Sequence, residues 1–93
     1  MVKKAAKFII QGTVQGVFFR QFIKEKADLL ELTGFARNLT DGNVEVIIEG
    51  DNEKIQTFGN MLKKGPEHSS IRNLQFEEKK WTGEFKDFKV LRF

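Results

Sequence analysis

Two hydrophobic periods take turns along the chain. Around residues 7–14, Phe8, Ile10 and Val14 alternate with Ile9, Gln11 and Thr13, which predicts a first strand. The period then lengthens: Phe19, Phe22, Ile23, Ala27 and Leu30 recur at helical spacing and predict a helix over 19–31. Residues 34–38 are short and apolar and read as a second strand. Asn38-Leu39-Thr40-Asp41-Gly42-Asn43 follows, with Asp41-Gly42 suited to a tight hairpin turn. In 44–49, Val44, Val46 and Ile48 fall on one face and Glu45, Ile47 and Glu49 on the other, a third strand antiparallel to the second.

Gly50-Asp51 opens a second helix, with the Asp51 carboxylate placed to accept from free N–H groups. Ile55, Phe58, Met61 and Leu62 are its expected buried stripe. Gly65-Pro66 ends it with a residue that tolerates positive φ and one that cannot continue a helix. Ile71, Leu74 and Phe76 predict a fourth strand, with a bulge where the spacing slips from three to two. Residues 77–80 and Trp81-Thr82-Gly83 read as a solvated strand end and turn. Residues 85–93 then supply a closing strand, with Phe88 and Val90 on one side.

The order is βαββαβ plus a short terminal strand. Two helices with one apolar stripe each must cover one face of an antiparallel sheet, which predicts an α+β, ferredoxin-like α/β sandwich. With 93 residues and no linker or repeat, the expectation is one domain over 1–93. Ten Phe and one Trp supply large buried areas for a small core. There is no cysteine, hence no disulfide framework and no thiolate nucleophile. The apolar run Phe8-Ile9-Ile10 is too short for a signal-peptide core, and no stretch approaches membrane-spanning length. A soluble, cytoplasmic protein is expected, and nothing in the pattern demands more than a monomer.

Charge sharpens the picture at one place. Residues 1–26 carry a net +5 and residues 27–93 a net −2, within the overall +3. The positive excess accompanies Gln11–Arg20, where the strand pattern gives way to the helix pattern across Gly12 and Gly16. A glycine-containing strand-to-helix turn leaves backbone N–H groups free beyond a helix N-terminus, a concavity suited to phosphate. Arg20 stands where loop becomes helix and offers a planar fork of donors to the same anion. A positive field there would gather an anionic substrate; the plainer reading of the lysines is a solvated surface.

Other chemistries fall away. A single His68 and no cysteine leave no cluster at metal-ligand spacing. His68 lies in a polar stretch where a surface-loop histidine is the default, and nothing near Ser69 or Ser70 resembles a nucleophile elbow. A Walker A loop needs Gly-Lys-Ser/Thr where Gly16-Val17-Phe18 stands. In the βαββαβ order, the end of strand two can approach the end of strand one, which places Asn38 near the cradle. Its amide can orient a water but has no titratable proton, so it is not a general base.

These residues carry a resemblance. Ile10-Gln11-Gly12-Thr13-Val14-Gln15-Gly16-Val17-Phe18-Phe19-Arg20 resembles the first signature of the acylphosphatase family. Gly34-Phe35-Ala36-Arg37-Asn38-Leu39-Thr40-Asp41-Gly42-Asn43-Val44, running on to Gly50, resembles the second. The resemblance implies hydrolysis of acyl phosphates to a carboxylate and inorganic phosphate, with no cofactor and no metal. It also implies that Arg20 and backbone N–H groups of Gln15, Gly16, Val17, Phe18, Phe19 and Arg20 bind the phosphoryl group, while Asn38 positions the attacking water. Inorganic phosphate would then bind as product. Two departures stand out. Glu31 occupies the place of a common glycine at the end of the first helix, so a positive φ there would cost about 1 kcal/mol. Residues 85–93 are also less typical, leaving the last strand's register open.

The rival reading is a ferredoxin-like binding module for RNA or another anionic ligand, without turnover. Gly34-Phe35-Ala36 faintly echoes the aromatic motif of RNA-recognition modules. That motif belongs on the third strand and needs further exposed aromatics, where Arg37 and Asn38 stand instead. The sequence therefore speaks against nucleic acid as the partner.

Overall fold

The computed structural model describes residues 2–13, 17–65 and 70–91. Its elements run β1 (Lys3–Thr13), α1 (Val17–Leu29), β2 (Thr33–Asn38), β3 (Val44–Asp51), α2 (Asn52–Lys64), β4 (Ser70–Lys79) and β5 (Phe88–Val90). The strands form one sheet in the order β4-β1-β3-β2-β5. β1 pairs antiparallel with both β3 and β4, and β2 antiparallel with β3. β5 adds to β2 in parallel, so the sheet is mixed at that edge rather than antiparallel throughout.

The core lies between the sheet and the two helices. Phe8 and Ile10 of β1 and Val44, Val46 and Ile48 of β3 are buried on one face of the sheet. Phe19, Ile23 and Ala27 of α1 and Ile55, Phe58 and Leu62 of α2 close over them. Met61, expected in that stripe, is half-buried beside the buried Leu62. Phe88 is fully buried and Val90 packs against the same cluster, so the expected shared face of β5 holds, although the strand is shorter than 85–93. Each fully buried Phe, Ile or Leu contributes about 1.5–3 kcal/mol by leaving water.

The helix ends follow their local chemistry. Asp51 caps α2, its Oδ1 accepting from the Glu53 N–H at 2.9 Å, and Gly65 closes the other end at φ 69° with its N–H on the Met61 carbonyl. α1 ends without glycine. The Leu32 N–H donates to the Ala27 carbonyl at 2.8 Å and the Glu31 N–H to Asp28 at 3.0 Å, a Schellman arrangement. Glu31 takes the left-handed position at φ 58°. Gly34 is obligatory for another reason: at φ 137°, a Cβ there would lie 1.9 Å from the Ile47 carbonyl oxygen.

The expected bulge is present. β1 and β4 shift register between Gln11 and Gly12, which pair with Asn73 and Ile71 and skip Arg72. Both of these strands are longer than the apolar pattern: β1 begins at Lys3 and β4 runs to Lys79. The 39–43 connection is a β-turn, Gly42 N–H to Leu39 carbonyl at 3.0 Å, with Gly42 at φ 90° and the Asp41 carboxylate accepting from the Asn43 N–H at 3.0 Å.

Candidate active site

β1 and β2 both run antiparallel to the strand between them, so they point the same way and finish at the same end of the sheet. Ile10, Val44 and Asn38 form one rung across β1, β3 and β2. Cross-strand neighbours share a face, so Asn38 stands on the helix side with Ile10 and Val44. β1 ends three residues beyond Ile10, and α1 begins at Val17. The end of β2 and the start of α1 are thus brought to one end of the molecule, as the chain order predicts.

Of the expected cradle, Gln15 and Gly16 lie outside the described residues, as do Val14, Pro66 and His68. Val17, Phe18, Phe19 and Arg20 form the first turn of α1, whose N–H groups have no carbonyl partner within the helix. Phe19 points into the core. Arg20 is half-buried, and among the described residues no carboxylate pairs with it. The Asn38 Oδ1 is buried and has no hydrogen-bond partner among the described residues. A buried carbonyl oxygen left unpaired costs about 1–3 kcal/mol, so a ligand or water completing it recovers that amount.

The lysines of the N-terminal segment do not gather at this end. Lys4 pairs with Glu78 at 3.3 Å, Lys7 with Glu45 at 3.5 Å and Lys24 with Asp28 at 2.8 Å, while Lys26 lies over the Phe22 ring. Lys4 also sits at the start of β1, roughly 30 Å of extended chain from Thr13, well beyond a physiological screening length of about 8 Å. The charge excess along the sequence is therefore dispersed in space, and Arg20 is the member of that set carried into the first turn of α1.

The apolar pattern did not single out two buried carboxylates on the helix-free face. Glu45 accepts from Arg37 Nε at 2.7 Å, so Arg37, beside Asn38, is held on the opposite face. Its signal was available in the hairpin register, which sets Arg37 directly across from Glu45. Glu49 accepts from the Thr82 N–H at 3.1 Å, the Thr82 hydroxyl at 2.7 Å and the Gly83 N–H at 2.9 Å. These bonds draw the segment after β4 across the helix-free face, where the Phe85 ring packs on Phe35 at 5.9 Å. Phe35 is thereby engaged by its own chain.

Among the described residues, no three His, Cys, Asp or Glu side chains cluster as a metal site, and no helix is long and apolar enough to cross a membrane. The acylphosphatase family model matches residues 6–90. The chain belongs to the acylphosphatase family. An acylphosphatase of Pelotomaculum thermopropionicum is 39% identical over 90 residues, covering 97% of this chain and 98% of that relative. Among solved structures, acylphosphatase from Bacillus subtilis superposes with a TM-score of 0.89 at 31% identity, covering 95% of this chain and 98% of the other. An acylphosphatase from Coxiella burnetii gives 0.87 at 34% identity, with 96% and 93% covered. Family and fold together support an acylphosphatase acting on small acyl phosphates.

Proposed function

We propose that this acylphosphatase cleaves the carboxyl–phosphate bond without a metal ion, using a water activated by the substrate itself. The observation that carries this reading is the buried, unpartnered Asn38 Oδ1 at the end of β2, at the end of the sheet where α1 starts. In the proposed arrangement, Arg20 and the backbone N–H groups of residues 15–20 hold the phosphoryl oxygens. Asn38 Oδ1 accepts one hydrogen of the attacking water. The water oxygen bonds to phosphorus, its other proton passes to a phosphoryl oxygen, and the P–O bond to the acyl group breaks with its electron pair leaving on the carboxylate. The products are a carboxylate and dihydrogen phosphate. A carboxylate leaves readily, so no general acid is required, and the protein's contribution is orientation and stabilisation of charge. We take the cytoplasm as its place and a single chain as its working unit, which sedimentation would check.

The test is hydrolysis of benzoyl phosphate with and without a chelator. Turnover is expected to survive chelation, and its loss would overturn metal independence. Arg20→Ala is expected to lower kcat/KM by about 10³-fold and to abolish binding of inorganic phosphate. Asn38→Ala is expected to lose turnover while retaining phosphate affinity; a collapse of that affinity would overturn the division of roles. A pH–rate profile demanding a protein base near neutrality would overturn substrate assistance.

A further inference from the structure

α2 does not cover the sheet evenly. It lies over β1 and β3, and the helix-side face of the edge strand β4 is left partly open, with Phe76 58% exposed. Between α2 and β4 runs a groove of about 480 Å³, within the range of about 300–1,000 Å³ typical of small-molecule sites. Its floor is Phe8, Ile55, Leu74 and Phe76. Phe8 is fixed from two sides, edge-on to Phe58 at 5.8 Å and tilted against Phe76 at 5.3 Å. Gly59 keeps the groove open: a Cβ there would stand 3.3 Å from Phe8 Cε1.

The rim decides what fits. Asn52, Gln56 and Asn60 line one row of α2 at four-residue spacing and supply neutral amides. Lys4 is matched by Glu78 at 3.3 Å. Lys63 also lines the groove, and among the described residues no carboxylate pairs with it. The lining charges thus leave one positive charge beside an apolar floor. We propose that the groove between α2 and β4 binds a small amphipathic monoanion, a carboxylate on an aryl or medium-length acyl tail. The tail lies along Phe76 and Leu74, and the head meets Lys63. A cationic ligand would face Lys63 unpaired. The groove is displaced from Asn38 across the sheet: its Leu74 stands on the rung Leu74–Ile10–Val44–Asn38, three strands away, roughly 14 Å.

The experiment is a titration of the full chain with sodium octanoate, followed by amide ¹H–¹⁵N spectra in saturating inorganic phosphate so that the catalytic end is occupied. Saturable shifts are expected at Asn52, Gln56, Gly59, Asn60 and Phe76, with residues 17–20 unmoved. Lys63→Gln is expected to weaken octanoate about threefold and Phe76→Ser about tenfold, while benzoyl phosphate hydrolysis stays unchanged in both. Octylammonium is expected to bind at least threefold more weakly than octanoate. Equal binding of octylammonium, shifts confined to residues 17–20, shifts that never saturate, or octanoate-independent dimerisation through β4 would each overturn the proposal.

Discussion

Glu49 and Asn38 are buried polar groups near opposite ends of the same sheet, on the rungs Ala5–Glu49–Thr33 and Ile10–Val44–Asn38. The Glu49 carboxylate, on a residue only 3% exposed, receives three hydrogen bonds from Thr82 and Gly83. The Asn38 carbonyl oxygen receives none from the described residues. The first pattern is what folding alone selects, because an unpaired buried oxygen costs free energy. The second is retained at a cost, and it lies where the proposed attacking water would complete it. Polar satisfaction thus separates the part of this fold that holds itself together from the end to which the proposed site is assigned.

The comparison breaks or sharpens under substitution. The largest effect is expected from Asn38→Ala: kcat for benzoyl phosphate falls about 10²–10³-fold, yet the urea midpoint holds or rises because no partner is lost. A marked fall in that midpoint would mean that Asn38 is a structural residue like Glu49. Glu49→Gln reverses the signature. It sets an amide N–H₂ against donors and is expected to cost about 2 kcal/mol, a fall in Tm of about 10 °C, with kcat per folded molecule unchanged. Glu31→Gly removes a side chain from the left-handed position at φ 58° and is expected to stabilise by about 1 kcal/mol in urea unfolding. The lost Lys54–Glu31 pair, which is exposed, offsets only a few tenths of that. The smallest effect concerns Glu77. The Lys79 hydrogen bond and charge hold its carboxyl below the ordinary glutamate value. A depressed carboxyl stabilises above its unfolded pKa and loses that contribution as pH falls through its folded pKa. Glu77 is fully exposed, so Lys79→Ala should raise its NMR titration midpoint while leaving acid unfolding almost where it was.

Much of the architecture was legible because buried faces force periodicity. The α1 and α2 stripes, the β3 alternation and the β4 bulge at Arg72 follow from where apolar side chains must point, and the Asp51 cap from a carboxylate standing before the helix's free N–H groups. The start of β1 was not, since Lys3-Lys4-Ala5-Ala6 offers no large apolar residue, and Ala5 is buried on the face beneath the 80–87 segment rather than in the main core. The parallel docking of β5 was equally hidden. Nothing local to Phe88-Lys89-Val90 names β2 as its neighbour; the Gly34 N–H to Asp87 carbonyl and Leu91 N–H to Ala36 carbonyl bonds do. At the candidate site, the sequence offered residue types and an approach of two strand ends. The missing partner at Asn38 Oδ1 is a property of three-dimensional packing that no spacing could announce.

The burial of Phe88 carries a consequence for how the molecule is made. Its ring fills the layer between α1 and the sheet, and its strand is the last in order to dock. A nascent chain emerging from the ribosome therefore carries β2 as a bare edge, with a gap in its interior, until β5 appears. Premature arrest of synthesis before that point would leave a sticky intermediate rather than a smaller version of the fold.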